Sequence, residues 1–324
     1  GRGDAGQWAT AWLERTPMSS DTDRLAHWLV SGLELETTVF HVGQYCGPWR
    51  ASTAGRERAS FHLVLRGESW LHLEGQAPIR LQAREGVFLL RDIPHSLTPA
   101  AEAGPGFQAR PMLPMSPPVA GACGLACGFF QFRGLLGELL RGAFPGYVLI
   151  RAGSGALHAV APLFDLILAE AARDEAGASP LIERLTELLF FYVIRDVALR
   201  NDVASGLLAV ARRPEFATLL DDLLRAPGKP WSIDDMARVA CMSRASFCRH
   251  FVEASGQPPA RFLLQVRMKI AARRLQCGDS VLRAAEHVGY NSQAAFTRAF
   301  KKVIGEQPGA FQRARRPGAP SFAH

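Results

Sequence analysis

A duplicated unit sets the first limit on how this chain can fold. Near the C-terminal end Val239 pairs with Val288, Ser243 with Ser292, Ala245 with Ala294, Phe247 with Phe296, Arg249 with Arg298 and Phe251 with Phe300, an offset of 49 (288 − 239). Such a period is short enough for one duplicated supersecondary unit. Each copy has the same grammar. A helix (Ile233 to Ala240; Val281 to His287) is followed by a short turn (Cys241-Met242; Gly289-Tyr290-Asn291). A serine then opens a second helix (Ser243 to Ala254; Ser292 to Val303). Serine accepts a hydrogen bond from the free N–H groups of a first turn, so it marks a helix start. The turn is expected to be tight in both copies. Gly289 supplies this by conformational freedom, and the small Cys241 by close packing. Helix, tight turn, helix is the helix-turn-helix pattern.

Periodicity separates core from contact within this unit. Phe247 and Phe251 lie four apart, as do Phe296 and Phe300, so each pair forms a stripe to be buried. The opposite face carries Arg244, Ala245, Cys248 and Arg249 in the first copy, and Gln293, Ala294, Thr297, Arg298 and Lys301 in the second. Arg and Gln can grip guanine and adenine edges with paired hydrogen bonds, and Ala or Thr can touch a thymine methyl. A solvated helix face is the plainer reading for any one of them; recurrence in both copies favours a set aimed at double-stranded DNA. Charge agrees. Residues 215–324 hold 17 Lys/Arg against 9 Asp/Glu, whereas residues 1–214 hold 20 against 21. A cationic domain concentrates polyanions, nucleic acid above all.

The remainder divides by period. Residues 37–100 alternate as short strands (Phe61-His-Leu-Val-Leu-Arg, Trp70-Leu-His-Leu-Glu, Ile79-Arg-Leu-Gln, Val87-Phe-Leu-Leu) between glycine-containing turns, the pattern of a sandwich or barrel. Residues 104–121 are rich in proline and glycine and read as a long loop, with Gly128-Phe-Phe-Gln-Phe-Arg as a returning strand. Helical periods follow over Ala156–Arg173 and from Ser179-Pro180 to about Leu199. The second is apolar on more than one face (Leu181, Ile182, Leu185, Leu188, Leu189, Phe190, Phe191), so it is either a plain core helix or half core and half dimer interface. The expected architecture is multi-domain: a tail or extension over 1–20, with Met18 as a natural start; an all-β sensor domain with flanking helices over 21–150; a helical linker or dimerisation segment over 151–212; an all-α double helix-turn-helix domain over 213–316; and a tail over 317–324. No apolar run has the length of a membrane span and no signal peptide is seen, so the chain is expected to be cytoplasmic. Its six cysteines are then expected to be thiols.

The stretches Trp231-Ser-Ile-Asp-Asp-Met-Ala through Met242-Ser-Arg-Ala-Ser-Phe, and Ala285-Glu-His-Val-Gly-Tyr-Asn-Ser-Gln-Ala-Ala-Phe-Thr-Arg-Ala-Phe-Lys-Lys through Pro308-Gly-Ala-Phe, resemble the AraC/XylS family of bacterial transcription regulators. The resemblance covers about Ala226 to Arg315. It implies two helical subdomains joined by a long helix, here Pro258–Gln276, and two recognition helices in successive major grooves, which lie ~34 Å apart. It places base-reading roles on Ala245, Cys248 and Arg249, then on Gln293, Ala294 and Arg298. A homodimer is expected, with RNA polymerase as a possible further partner. Ala245 and Cys248 are smaller than the family's usual readers, which puts little direct readout on the first helix.

The strand region resembles the cupin barrels fused to such domains. His62-x-Val64-x3-Glu68-x6-Gly75 follows the first cupin motif with valine in place of its second histidine, and Pro94-His95 matches the second. The resemblance gives His62, Glu68 and His95, two imidazoles and a carboxylate that could hold a divalent metal. The alternative is a degenerate barrel whose histidines only hydrogen-bond; no cofactor is then required. His41 and His72 read as surface or strand polar residues. Cys46 and Cys127 resemble positions in regulators that respond to reactive chlorine or other oxidants, with Cys123 as a candidate partner for Cys127, to form a disulfide or stabilise a sulfenic acid. Inert buried thiols are the alternative. Cys241, Cys248 and Cys277 read as packing, Cys248 also facing the DNA side. Two functions stand: a DNA-binding regulator controlled by a small-molecule or oxidant effector, and a metal-dependent cupin enzyme with an appended helical domain.

Overall fold

The computed structural model describes residues 33–102, 104–133, 144–151, 155–173, 179–199 and 206–314, with positions 26, 29, 30, 137 and 153 besides. The tails expected at 1–20 and 317–324 lie outside the described residues.

Alternation becomes strand where it was expected. In chain order the strands are β1 (Glu34–Tyr45), β2 (Ala59–Arg66), β3 (Glu68–Leu73), β4 (Ile79–Gln82), β5 (Glu85–Leu89), β6 (His95–Thr98), β7 (Cys123–Arg133) and β8 (Tyr147–Ile150). They form a five-stranded sheet in the order β1-β7-β2-β5-β8 and a three-stranded sheet β4-β3-β6, with antiparallel pairing throughout. Alternate residues of β2 serve two cores. Val64 turns inward with Leu71, Leu81, Val87, Leu97 and Leu125, filling the space between the sheets. Phe61, Leu63 and Leu65 turn outward with Phe88, Ala126 and Phe130. Both faces of β2 are therefore buried, which needs a cover on the outer side.

Helices supply that cover. A 3-10 turn (Gly155–Val160) leads into α1 (Ala161–Ala171), and α2 (Pro180–Leu199) lies along β1. The Phe190 ring packs 4.8 Å from Phe130 and 5.5 Å from Phe88. The broad apolar character of α2 is thus half used: Ile182, Leu189, Phe190, Val193 and Ile194 are buried, while Leu181 and Leu188 are 59% and 46% exposed. The Glu183 carboxylate accepts a hydrogen bond from the Val39 N–H at 3.2 Å, where β1 slips register between Val39 and His41.

The C-terminal region is wholly helical: α3 (Leu207–Ala211), α4 (Pro214–Arg225), α5 (Ile233–Val239), α6 (Arg244–Ser255), α7 (Pro259–Gln276), α8 (Val281–His287), α9 (Gln293–Ile304) and α10 (Pro308–Ala314). The short α3 packs on α4 and α6. Two phenylalanine cores result. Phe216, Phe247, Phe251 and Phe262 meet edge-on or tilted in one; Tyr290, Phe296, Phe300 and Phe311 do so in the other. Helix α7 packs against both. Its Arg267 donates to the carbonyls of Pro227 and Lys229, each at 2.7 Å, and so pins the segment before α5 to the connector.

Candidate functional site

Serine fixes the start of each contact helix. The Ser243 hydroxyl accepts from the Ser246 N–H and the Ser292 hydroxyl from the Ala295 N–H, so α6 and α9 begin one residue after their serines. With the phenylalanine stripes buried, the opposite faces are open. Arg244, Ala245, Arg249, Gln293, Ala294, Arg298 and Lys301 are exposed, and Cys248 and Thr297 are half-buried beside them. Arg244 pairs with Asp234 at 3.4 Å. Among the described residues Arg249 and Arg298 have no carboxylate partner, so their charge is uncompensated and available to a phosphate or a base edge.

The two turns differ in a way the residue types hid. Both positions take a left-handed backbone, Cys241 at φ +56° and Gly289 at φ +87°. Cys241 is exposed, so it does not achieve the turn by close packing as expected; it carries the backbone strain in the open. Gly289 is needed twice over. A Cβ there would lie 2.6 Å from the Gly228 carbonyl oxygen. Cys277, also expected to pack, is exposed.

The barrel holds a second constellation. His62 on β2 pairs across the sheet with Cys127 on β7, which in turn pairs with His41 on β1. His62 Nδ1 is 3.0 Å from Cys127 Sγ, and His62 Nε2 is 3.0 Å from His95 Nε2. Partners set the tautomers. His95 Nδ1 is 2.8 Å from the Ile93 carbonyl oxygen, which can only accept. With both imidazoles held below the ordinary histidine range, chiefly by burial, each carries one ring proton at neutral pH. His95 Nε2 must then accept from His62 Nε2–H, and His62 Nδ1 accepts the Cys127 S–H. The Thr53 hydroxyl joins the same network, 3.1 Å from His95 and 3.3 Å from His62.

A cavity of about 160 Å³ opens beside this network. The buried Tyr45, Thr53, His62 and Cys127 line its inner part and the exposed His41 lines it nearer solvent, with Tyr45 Oη 3.1 Å from His41 Nδ1. Arg50 and Arg110 stand at its rim. His41 is an exposed residue of β1, as a surface or strand polar group should be, and it also lines the cavity; His72 is a strand residue bonded to Thr98 Oγ1 at 2.8 Å. Sequence periodicity missed Arg50, Thr53 and Arg110, because irregular segments deliver them.

Two other expectations are corrected. Glu68 does not join His62 and His95. It is exposed at the start of β3 and bonds Arg80 Nε at 2.9 Å, while Val64, in place of the second histidine, is core. The donors left at the two histidines do not fit a cupin metal centre, and among the described residues no three His, Cys, Asp or Glu side chains converge as a metal site. Cys123 and Cys127 lie four apart on one strand, about 13 Å by strand rise, which is beyond the ~7 Å Cα reach of a disulfide. Both thiols are buried, and burial pushes Cys123 up to about 12 and Cys127 higher still. Cys46 lies half-buried just past the end of β1.

A strand domain with covering helices, followed by a pair of helix-turn-helix units, defines a regulator of transcription. A cupin family model matches residues 23–198 and a helix-turn-helix domain model matches residues 236–314. An uncharacterized HTH-type transcriptional regulator of Haemophilus influenzae is 30% identical over 83% of this chain and 92% of its own length. A putative AraC-like transcription regulator of Streptomyces antibioticus is 29% identical over 82% of this chain and 91% of its own. The RCS-specific HTH-type transcriptional activator RclR of Escherichia coli is 30% identical over 44% of this chain and 51% of its own. The chain belongs to the AraC-type family of DNA-binding transcription regulators with an N-terminal cupin domain. No helix among the described residues is long and apolar enough to cross a membrane.

Proposed function

We propose that the protein reads a specific operator with α6 and α9 set in successive major grooves, works as a homodimer, and answers to a signal received in its barrel. The observation that carries this is the pairing of uncompensated Arg249 and Arg298 at equivalent positions of two serine-capped helices whose other faces are buried. In α9, Gln293, Ala294, Thr297 and Arg298 supply base contacts and Lys301 a phosphate contact. In α6, Arg249 carries most of the readout, with Arg244 partly held by Asp234. Arg298→Ala is expected to weaken specific binding by ~1–3 kcal/mol and relax preference at one position. Lys301→Ala should weaken binding to all sequences and lower the salt slope by about 1. Binding by footprinting and salt titration checks both; an unchanged footprint and affinity in Arg298→Ala would contradict the assignment.

For an oxidant signal the structure favours Cys127 over Cys46 and Cys123, since Cys127 alone has an imidazole at its sulfur and lies against the cavity. Burial keeps the thiol protonated, so oxidation at Cys127 needs its proton passed to His62. The E. coli relative is named as RCS-specific, which fits an oxidant. Trapping of a sulfenic acid on Cys127, abolished in Cys127→Ser along with any oxidant effect on DNA affinity, supports this route; trapping on Cys46 alone rejects it. The enzyme reading is not favoured, because its carboxylate donor faces away from the histidines.

A further inference from the structure

We propose that the mouth of the barrel binds a small organic carboxylate about the size of one ring, its charge held between Arg50 and Arg110 and its apolar body directed inward. The proposal rests on the reading that the N-terminal domain receives a signal, and it names the chemical class of that signal.

Charge at the cavity is one-sided. Its lining residues include two arginines and no Asp or Glu. The arginines come from two segments tied together by the Arg50 N–H donating to the Gln108 carbonyl at 2.8 Å and by the adjoining Trp49–Gln108 bridge. Both are exposed, and among the described residues neither side chain makes a hydrogen bond or ion pair. Two always-charged residues lining one cavity favour an anionic ligand, and a carboxylate matches a planar guanidinium fork with paired hydrogen bonds.

The interior asks for something else. Its aromatic walls are Tyr45, stacked on Trp49, and Phe40, which is 40% exposed. Thr53 and His62 at the inner end already bond each other and His95. The floor therefore offers no unfilled charge, and the inner end of a ligand gains most by being apolar. Size limits the body: the cavity holds about 160 Å³, and an engineered cavity of about 150 Å³ accepts benzene.

The test uses the full chain. Thermal shift and calorimetry are run with benzoate and hexanoate, with the uncharged benzamide and hexanamide, and with inorganic phosphate and sulfate. The carboxylates are expected to raise Tm saturably, and the amides not to. Arg50→Gln/Arg110→Gln should weaken carboxylate binding by about tenfold or more. Its unliganded Tm should stay unchanged, since neither side chain supports the fold. Equal shifts from the amides, undiminished affinity in the double variant, a response confined to phosphate or sulfate, or no saturable shift at all would each overturn the proposal. Operator binding is measured on the same preparations. Intact operator preference without a carboxylate response rejects this site alone, whereas loss of preference in the unaltered protein rejects the regulatory reading beneath it.

Discussion

Gly289 and Cys241 occupy the same structural position in two copies of one unit, yet substitution should separate them. Gly289→Ala adds a Cβ at φ +87° and 2.6 Å from the Gly228 carbonyl oxygen. A loss of at least ~2 kcal/mol is expected in denaturant unfolding. Cys241→Ala keeps a Cβ where one is already tolerated and exposed, so it should stay within about 0.5 kcal/mol. Equal effects at the two sites would show that the Gly228 contact does not limit the turn. His62 gives a second residue-scale prediction. Burial lowers its pKa well below 6.5, so the unfolded chain takes up a proton before the folded one does. Stability from this group is therefore full above pH 6.5 and is lost as pH falls below it. Tm of the full chain should decline on acidification, and His62→Gln should flatten that decline; a slope unchanged by His62→Gln would assign it to other groups.

Among the elements, α2 is the one whose sequence left a choice open. Its buried side is fixed by Phe190 and Ile194 against the sheet, while Leu181 and Leu188, one heptad apart, stay exposed with Leu166 of α1. An exposed apolar stripe beside a solvated one suits a helix–helix contact between copies. Leu188→Lys is expected to shift the protein toward monomer in sedimentation without lowering Tm of the monomer; an unchanged association state would remove α2 from the interface. The recognition helices were far better specified. Serine caps and phenylalanine pairs are local signals, and the structure reproduced α6 and α9 within one residue of where Ser243 and Ser292 placed them.

At the scale of the molecule, β1 ties the cavity to α2. Phe40 and His41 line the cavity at the register slip, and Glu183 of α2 holds the Val39 N–H beside them. A ligand that moved Phe40 would disturb the Val39–Glu183 hydrogen bond and so act on α2. Glu183→Ala should speed hydrogen exchange at the Val39 amide and reduce the effector's influence on operator affinity, leaving affinity without effector intact. Unaltered exchange at Val39 would show that the carboxylate does not hold the slip.

Period, caps and charge determined a great deal without any structure: two helix-turn-helix units, their buried and open faces, a strand domain before them, and the cationic half of the chain. These follow from interactions between residues a few positions apart, which the order of side chains encodes directly. Only the tertiary structure decided that Glu68 leaves the histidines, that Cys123 is out of reach of Cys127, and that Cys127, His62 and His95 form one proton network. It alone brought Arg50 and Arg110 to a common rim. Those placements depend on which strands pair and in which register, and a one-residue slip would send each side chain to the opposite face.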